Sequence, residues 1–339
     1  MRMMRLLAGL GIVCLAGFAA HAETLTGTFN FQPTSTQPNC VAVNPVTNRV
    51  YYTQSGTTPA SVSVLDGTTL KPAFQPNGSI TFGAGEASPE AIIVNPVTNM
   101  IYVVCRTGFV VVAIDGATNT VTAHIPVGSN PVAAAFNSKT GKLYVANYGD
   151  NTVSIIDTKN NNTTMTRPTG TAPIAVAVNV GTDRVFVANS NSNNITVIDA
   201  LNDNVLAPIM GITTPLSMAV NPANNMLYVA GGTANVPNMF AIGGGGPPAS
   251  ATFAGGVFPT FVAANPLTGK VYFATTLGAL SIYNADLSSL IQSTSVGTGC
   301  RDIVVNTSTN KVYFSTSLAS SYLTTLDGVN LSHSPRRVR

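Results

Sequence analysis

Three features of the amino-acid sequence predict an all-β fold built from seven repeated four-stranded antiparallel sheets. A short apolar run ending in Asn recurs every ~42 residues, which is the spacing expected of propeller blades. Each copy contains apolar or alternating segments separated by turn-forming residues, as the strands of a sheet are. No segment beyond residue 22 shows a convincing helical period. The sequence therefore predicts a seven-bladed β-propeller.

Three marker residues with fixed spacing define the repeat. The Asn marker occurs at Asn44, Asn95, Asn137, Asn179, Asn221, Asn265 and Asn306. A Pro precedes it at Pro38, Pro89, Pro131, Pro173, Pro215 and Pro259, and the seventh copy has Cys300 instead. An aromatic residue follows it at Tyr51, Tyr102, Tyr144, Phe186, Tyr228, Tyr272 and Tyr313. This regularity indicates that every copy folds as the same structural unit.

The copy at residues 130–170 shows how the four strands of one blade follow each other. VAAAF (132–136) is apolar on both faces, which predicts a first strand buried on both sides. KLYVAN (142–147) and TVSIID (152–157) predict the second and third strands, each preceded by a turn-rich segment. TTMTRP (163–168) is more polar and predicts the outer strand. Polarity thus increases away from the predicted axis.

The two ends of the repeat array predict a closed ring. The seventh copy has a third strand at YLTTLD (322–327) but no good fourth strand after it. A strand-like segment, LTGTFNF (25–31), precedes the first copy. We expect this N-terminal strand to complete the last blade, because closure removes an exposed sheet edge. An open stack of β-repeats is the alternative.

The repeat also resembles a known family. The segments that carry the resemblance are LYVANYGDNTVSIID (143–157), VFVANSNSNNITVID (185–199) and LYVAGG (227–232). They are similar to the YVTN-repeat family of seven-bladed β-propellers, which occurs in secreted bacterial proteins and archaeal surface layers. The resemblance covers residues 38–327 and implies the fold. It implies no particular activity, because the family motif is structural.

The chain ends predict export. Basic residues precede an apolar run at 6–20, and Ala-His-Ala follows at 20–22, so residues 1–22 are predicted to be a signal peptide. An uncleaved membrane anchor would require ~20 apolar residues. We expect a secreted or periplasmic protein in which residues 23–331 form a single propeller domain and residues 332–339 form a basic tail.

Composition excludes several classes of function. Charged residues make up 9 % of the chain and the formal net charge is +3, so no nucleic-acid partner is expected. No membrane span is expected after signal cleavage. The chain has only three His, which argues against a haem or multi-imidazole metal site, and we expect no cofactor and no metal. No catalytic motif is present, so no catalytic residue is predicted.

Repeated Asp residues close the third strand of five copies. They are Asp66, Asp115, Asp157, Asp199 and Asp327. We expect these carboxylates to accept backbone N–H groups in turns, because each belongs to a different blade and cannot share a metal with the others. The same turn chemistry is expected of the Asn markers, and the marker aromatics are expected to lie in the core.

Three cysteines remain after the predicted cleavage, in a compartment that permits disulfides. Cys40 and Cys300 lie at the inner strands of the first and last copies, which are neighbours only if the ring closes. A Cys40–Cys300 disulfide is the candidate pairing, but neighbouring inner strands can exceed the ~7 Å Cα separation that a disulfide allows. Cys105 is expected to be a buried free thiol.

The candidate ligand site lies at the residue after each Pro marker, on one face of the predicted disc. Asn39, Glu90 and Arg301 would fall on consecutive blades of the closed ring, and Asp302 and Arg106 are expected on the same side. Loops converge at such a face and commonly bind ligands. These five residues predict a site for a small polar or anionic ligand. The alternative is that they hydrate the opening or that Arg301 pairs with Glu90.

These observations favour a secreted, non-enzymatic scaffold that presents one face to a protein, a glycan or a small polar ligand. One alternative is an enzyme related to the propeller lactonases or lyases, for which Glu90 and Asp302 are the only acid or base candidates near the axis. The other alternative is a subunit of a cell-surface layer or an adhesion protein.

Overall fold

The structure is a computed structural model of the chain. It describes residues 38–44, 47, 49–54, 60–66, 72–74, 78–83, 85–95, 97–233, 236–243, 249–252, 259–295, 300–306, 311–316 and 322–327. Within these ranges all regular secondary structure is strand, which confirms the all-β prediction. The predicted signal peptide, the strand-like segment 25–31 and the basic tail lie outside the described residues.

The described strands form antiparallel sheets in which the strands follow each other in chain order. The first sheet contains β1 (Pro38–Asn44), β2 (Arg49–Gln54), β3 (Ser61–Asp66) and β4 (Ser79–Thr81). The second contains β5 (Ala87–Asn95), β6 (Met100–Thr107), β7 (Val110–Asp115) and β8 (Thr120–Pro126). The third contains β9 (Pro131–Asn137), β10 (Lys142–Asn147), β11 (Thr152–Asp157) and β12 (Thr163–Pro168).

Three further four-stranded sheets and one three-stranded sheet follow among the described residues. The fourth contains β13 (Pro173–Asn179), β14 (Arg184–Asn189), β15 (Asn194–Asp199) and β16 (Ile209–Met210). The fifth contains β17 (Pro215–Asn221), β18 (Met226–Thr233), β19 (Val236–Ile242) and β20 (Ala249–Thr252). The sixth contains β21 (Phe261–Ala264), β22 (Val271–Ala274), β23 (Ala279–Tyr283) and β24 (Leu290–Ser295). The last contains β25 (Cys300–Asn306), β26 (Lys311–Thr316) and β27 (Tyr322–Asp327).

The chain divides into two compact units. The first unit includes the described residues up to Val176, and the second includes those from Ala177 onward. In the first unit the inner strands β1, β5 and β9 pack side by side. In the second unit β17, β21 and β25 do the same. Neighbouring sheets therefore bury their first strands against each other within each unit.

Polarity increases outward within a sheet, as predicted. In the third sheet almost every residue of β9 is buried, whereas five of the six residues of β12 are exposed. A first strand with neighbours on both faces must be apolar on both, which explains the VAAAF run. The outer strand pairs with one neighbour through backbone hydrogen bonds and is otherwise exposed, so polar residues such as Thr and Arg occur there.

The marker polar residues have the predicted turn roles. Asp115, Asp157 and Asp199 each accept a backbone N–H from the residue two positions later, at 2.7, 3.0 and 3.0 Å. The Asn markers do the same at 2.9 to 3.1 Å in five copies, namely Asn95, Asn137, Asn179, Asn221 and Asn265. The Asn turns close the first hairpin of these five sheets, and the Asp turns follow the third strand of their sheets.

Five of the marker aromatics lie in the core, and Phe186 is half-buried. Tyr51, Tyr144, Tyr228 and Tyr272 are fully buried. In the first unit the ring of Tyr102 stacks on Phe136 of the next sheet, with centroids 6.4 Å apart. In the second unit the Tyr228 hydroxyl donates to the carbonyl of Ala285 at 2.8 Å. The marker aromatics Tyr102 and Tyr228 therefore join neighbouring sheets.

Candidate functional site

An extra residue lies near the start of the inner strand in five of the described sheets. The strand register shifts by one between Pro38 and Val41, Pro89 and Ala91, Pro131 and Ala133, Pro215 and Ser217, and Cys300 and Asp302. Such a β-bulge turns the side chain it contains away from regular alternation. The position after the Pro marker, which sequence reasoning selected as the candidate site, is therefore a bulge position.

The residue before the Pro marker is also unusual. Ser88, Asn130, Ala172 and Thr214 all have positive φ, between 40° and 59°. A left-handed residue followed by the bulge turns the next side chains into the packing. Glu90, Val132, Ile174, Leu216 and Thr260 are accordingly all buried, between 2 % and 7 % exposed. Glu90 is therefore a buried carboxylate.

Glu90 and Arg106, two of the five predicted site residues, come together in the second sheet. The Nη1 atom of Arg106 lies 3.7 Å from Oε1 of Glu90. The Glu90 side chain is 9 % exposed and that of Arg106 is 33 % exposed. A buried carboxylate requires a compensating charge or donor. The pair therefore holds the Arg106 guanidinium at the protein surface.

The other three predicted residues are only partly described. The backbone of Asn39 lies in β1, and the backbones of Arg301 and Asp302 lie in β25. Their side chains, and that of Cys300, lie outside the described part of the structure. The sulfur of Cys40 is buried and lies 3.0 Å from the backbone oxygen of Glu90. The Cys40–Cys300 disulfide therefore stays a prediction.

A second carboxylate, which sequence reasoning did not select, lies at the same end of the second sheet. Glu86 accepts the backbone N–H of Gly83 at 2.7 Å, and its other oxygen contacts Nδ1 of His124 on β8. His124 is exposed, whereas Glu86 is largely buried. We call Glu86, Glu90, Arg106 and His124 the charged cluster.

Cys105 lies beside this cluster. Its side chain is fully buried, and the structure shows it as a free thiol, as predicted. Burial, and secondarily the negative charge of Glu86, raises the pKa of Cys105 to about 12. The thiol therefore stays protonated at neutral pH, which makes it a poor nucleophile.

The turn between β6 and β7 carries an exposed aromatic side chain. Gly108 and Phe109 both have positive φ, 90° and 55°. A Cβ on residue 108 would lie 2.8 Å from the backbone oxygen of Gly85, so only glycine fits there. Phe109 is 44 % exposed, and its backbone oxygen accepts the N–H of Val127 at 2.9 Å. Sequence reasoning missed this residue.

The equivalent end of the third sheet contains a network of hydrogen-bonded side chains. Asp150 accepts two hydrogen bonds from Ser129, one of them from the backbone N–H at 2.5 Å. These bonds lower the pKa of Asp150. The Asn147 amide donates to the hydroxyls of Thr152 and Ser154, both at 2.9 Å. Arg167 of β12 also lies at this end, where its Nη1 donates to the carbonyl of Thr166 at 3.1 Å.

Chemically, the charged cluster offers a surface guanidinium, a surface imidazole and a neighbouring aromatic ring. Among the described residues no three His, Cys, Asp or Glu side chains are grouped so as to hold a metal ion. In the same part of the chain, no helix has the length and hydropathy needed to cross a membrane.

Comparisons with known proteins identify the fold. No family model matches the chain, and no curated protein matches it. A chain of hydrazine synthase from Kuenenia stuttgartiensis is similar, with a TM-score of 0.68, 16 % identity, and coverage of 90 % of this chain and 99 % of that one. The β-propeller domain of Cps50 (Swd1) from Myceliophteria thermophila has a TM-score of 0.68, 11 % identity, and coverage of 87 % and 98 %. Identities this low carry the fold alone. The chain has a β-propeller fold built from four-stranded antiparallel sheets.

Proposed function

We propose that this chain is a secreted, non-enzymatic seven-bladed β-propeller of the YVTN-repeat type that binds a partner through the charged cluster of its second blade. One observation carries the proposal. Glu86, Glu90, Arg106 and His124 occupy positions that in the third sheet hold Gly128, Val132, Tyr148 and Thr166. In a chain with 9 % charged residues, four ionisable groups on one sheet end require an explanation.

Seven blades in a closed ring are part of the proposal. The seven copies of the repeat support this number, as do the six four-stranded sheets and the three-stranded sheet of the described residues. The segment 25–31 has the strand pattern that the last sheet needs as a fourth strand. Ring closure would place Asn39, Glu90 and Arg301 on adjacent blades and extend the site beyond the second sheet.

The state of the acidic groups supports binding over catalysis. Glu90 faces Arg106, and Glu86 is engaged by Gly83 and His124. A general acid or base must instead be free to reach a proton of the substrate. The neighbouring Cys105 thiol is neutral and buried. The arrangement therefore favours recognition by hydrogen bonds and charge, with Arg106 as its main donor.

Affinity capture from an envelope extract tests this proposal. The immobilised mature protein, Arg106→Ala and Arg184→Ala would be compared, and the bound protein and carbohydrate quantified. Arg184 is a matched control because it pairs with Asp199 at 3.5 Å and its side chain is 37 % exposed. We expect Arg106→Ala to lose bound material that Arg184→Ala retains. Equal recovery by all three proteins would overturn the proposal.

A second variant separates lost binding from lost folding. Glu90→Val with Arg106→Tyr copies the residues of the third sheet, so no buried carboxylate is left facing an absent guanidinium. This double variant is expected to fold and still to lose the partner. Arg301→Ala, tested in the same way, shows whether the site extends to the last sheet, as ring closure requires.

A further inference from the structure

Phe109 has a conformation that its side chain does not favour. A bulky residue at positive φ is uncommon and strained. At the same turn position the third and fourth sheets have Asn151 and Asn193, with φ of 56° and 54°. Asn tolerates this conformation far better than Phe. The second sheet therefore carries a strained residue where its neighbours do not.

Phe109 also lacks a hydrogen bond that the Asn at this turn position accepts in the third and fourth sheets. Oδ1 of Asn151 accepts the N–H of Ala172 at 2.8 Å, and Oδ1 of Asn193 accepts that of Thr214 at 2.8 Å. Each bond joins the turn to the start of the following sheet. A phenyl ring cannot accept such a bond. Because the ring stays 44 % exposed, burial does not compensate for the loss, and strain of this kind is typical of functional positions.

The surroundings of Phe109 suit a small amphipathic ligand. Among the described residues of the first unit the large exposed apolar side chains are Val97, Phe109 and Met165. Val97 lies in the turn at the opposite end of β6, and Met165 lies on β12 of the next sheet. Of these three, Phe109 is the one at the end of the second sheet that carries the charged cluster. A protein interface centre would need several clustered apolar anchors.

We propose that Phe109 is the stacking platform of a carbohydrate site, whose hydrogen-bonding groups are the guanidinium of Arg106 and the imidazole of His124. The inference rests on the proposed function, and it specifies the ligand class. The C–H face of a sugar ring carries partial positive charge and packs on the negative face of an aromatic ring. The sugar hydroxyls then meet the fixed donors around it, as in small-ligand sites generally.

Oligosaccharide titration of the mature protein tests the proposal. The probes are maltohexaose, cellohexaose, chitohexaose and hexagalacturonate, followed by calorimetry and by saturation-transfer NMR for weak binding. We expect at least one probe to bind wild type and Phe109→Trp. Phe109→Asn should weaken that binding by about tenfold or more, because it removes the stacked ring. Val97→Asn, which removes an exposed apolar side chain at the other end of β6, should bind as wild type.

Thermal unfolding distinguishes a binding residue from a structural one. Phe109→Asn restores the turn residue of the neighbouring sheets, so its Tm should rise by roughly 1 to 4 °C. Lost binding in a more stable protein cannot be attributed to unfolding. Binding of a probe to Phe109→Asn with wild-type affinity would overturn the proposal, and so would failure of all four probes to bind wild type.

The two proposals fail in different ways. If no probe binds but capture still depends on Arg106, the carbohydrate inference is wrong and the binding role of the charged cluster stands. If a probe binds through Phe109 and is unaffected by Arg106→Ala, the stacking role of Phe109 stands, and the role given to Arg106 is wrong in both proposals.

Discussion

The second and third sheets have nearly the same backbone and different chemistry. Their turn residues Phe109 and Asn151 have φ of 55° and 56°, and Ser88 and Asn130 have 54° and 47°. Both inner strands contain the bulge after the Pro marker. The frame is therefore constant, and the difference lies in the side chains it displays.

The side chains at the same end of the two sheets differ in how they are satisfied. In the third sheet Asp150 and Asn147 bond to Ser129, Thr152 and Ser154 of their own sheet. In the second sheet the larger groups of Arg106, His124 and Phe109 reach the surface. The comparison indicates that one sheet of the fold can display different surface groups by substitution alone, with no insertion into its turns.

The largest expected stability effect is that of Arg106→Ala. It removes the guanidinium facing the buried carboxylate of Glu90, so the free energy of unfolding should fall by about 2 kcal/mol. Urea unfolding measures this loss. The matched variant Arg184→Ala should lose less than about 1 kcal/mol, because Asp199 is more exposed than Glu90. Equal losses would mean that Glu90 is compensated by other groups.

A smaller loss is expected from Gly128→Ala in the third sheet. A Cβ at this position would lie 2.6 Å from both the Asn147 amide nitrogen and an Asp150 oxygen. Overpacking of this kind should cost about 1 kcal/mol or more in urea unfolding. Adding Asp150→Gly, the residue type of the second sheet, should recover part of the loss. No recovery in the double variant would show that Asn147 is the main obstacle.

The smallest expected effect is a pH dependence confined to the third sheet. Ser129 holds the pKa of Asp150 below its ordinary value of 3.8, so the stabilisation is fully present above that pH and is lost as the pH falls below it. The Tm difference between wild type and Ser129→Ala should therefore be constant near neutral pH and shrink in acid. Ala87→Ser, at the same position of the second sheet, should produce no such acid-dependent difference.

The sequence predicted the strand order, the turn roles and the core aromatics because each depends on residues near each other in one copy. Asn137, for example, bonds to the N–H of Lys139 two positions later. Such contacts follow from local residue types. The Glu90–Arg106 pair could also have been predicted from the sequence, because both residues lie at the same end of one hairpin.

The remaining site residues depend on geometry that one copy does not reveal. Glu86 meets His124 on the outer strand, thirty-eight positions away. Glu90 lies at a bulge that follows the left-handed Ser88, and its burial could not be predicted from the residue type. Phe109 could have been found from the sequence by aligning the copies at the turn, where Asn151 and Asn193 stand in its place.

The extra residue in five of the described inner strands also limits how these positions can vary. Because strand side chains alternate between two faces, deleting it would exchange the inside and outside of every later residue in the strand. Glu90 can therefore be replaced by another residue, but it cannot be deleted from the strand. The chain shows this freedom directly, since Glu90, Val132, Leu216 and Arg301 differ in size and charge within one unchanged frame. That position therefore accepts side chains of different size and charge, but the number of residues in the strand cannot change.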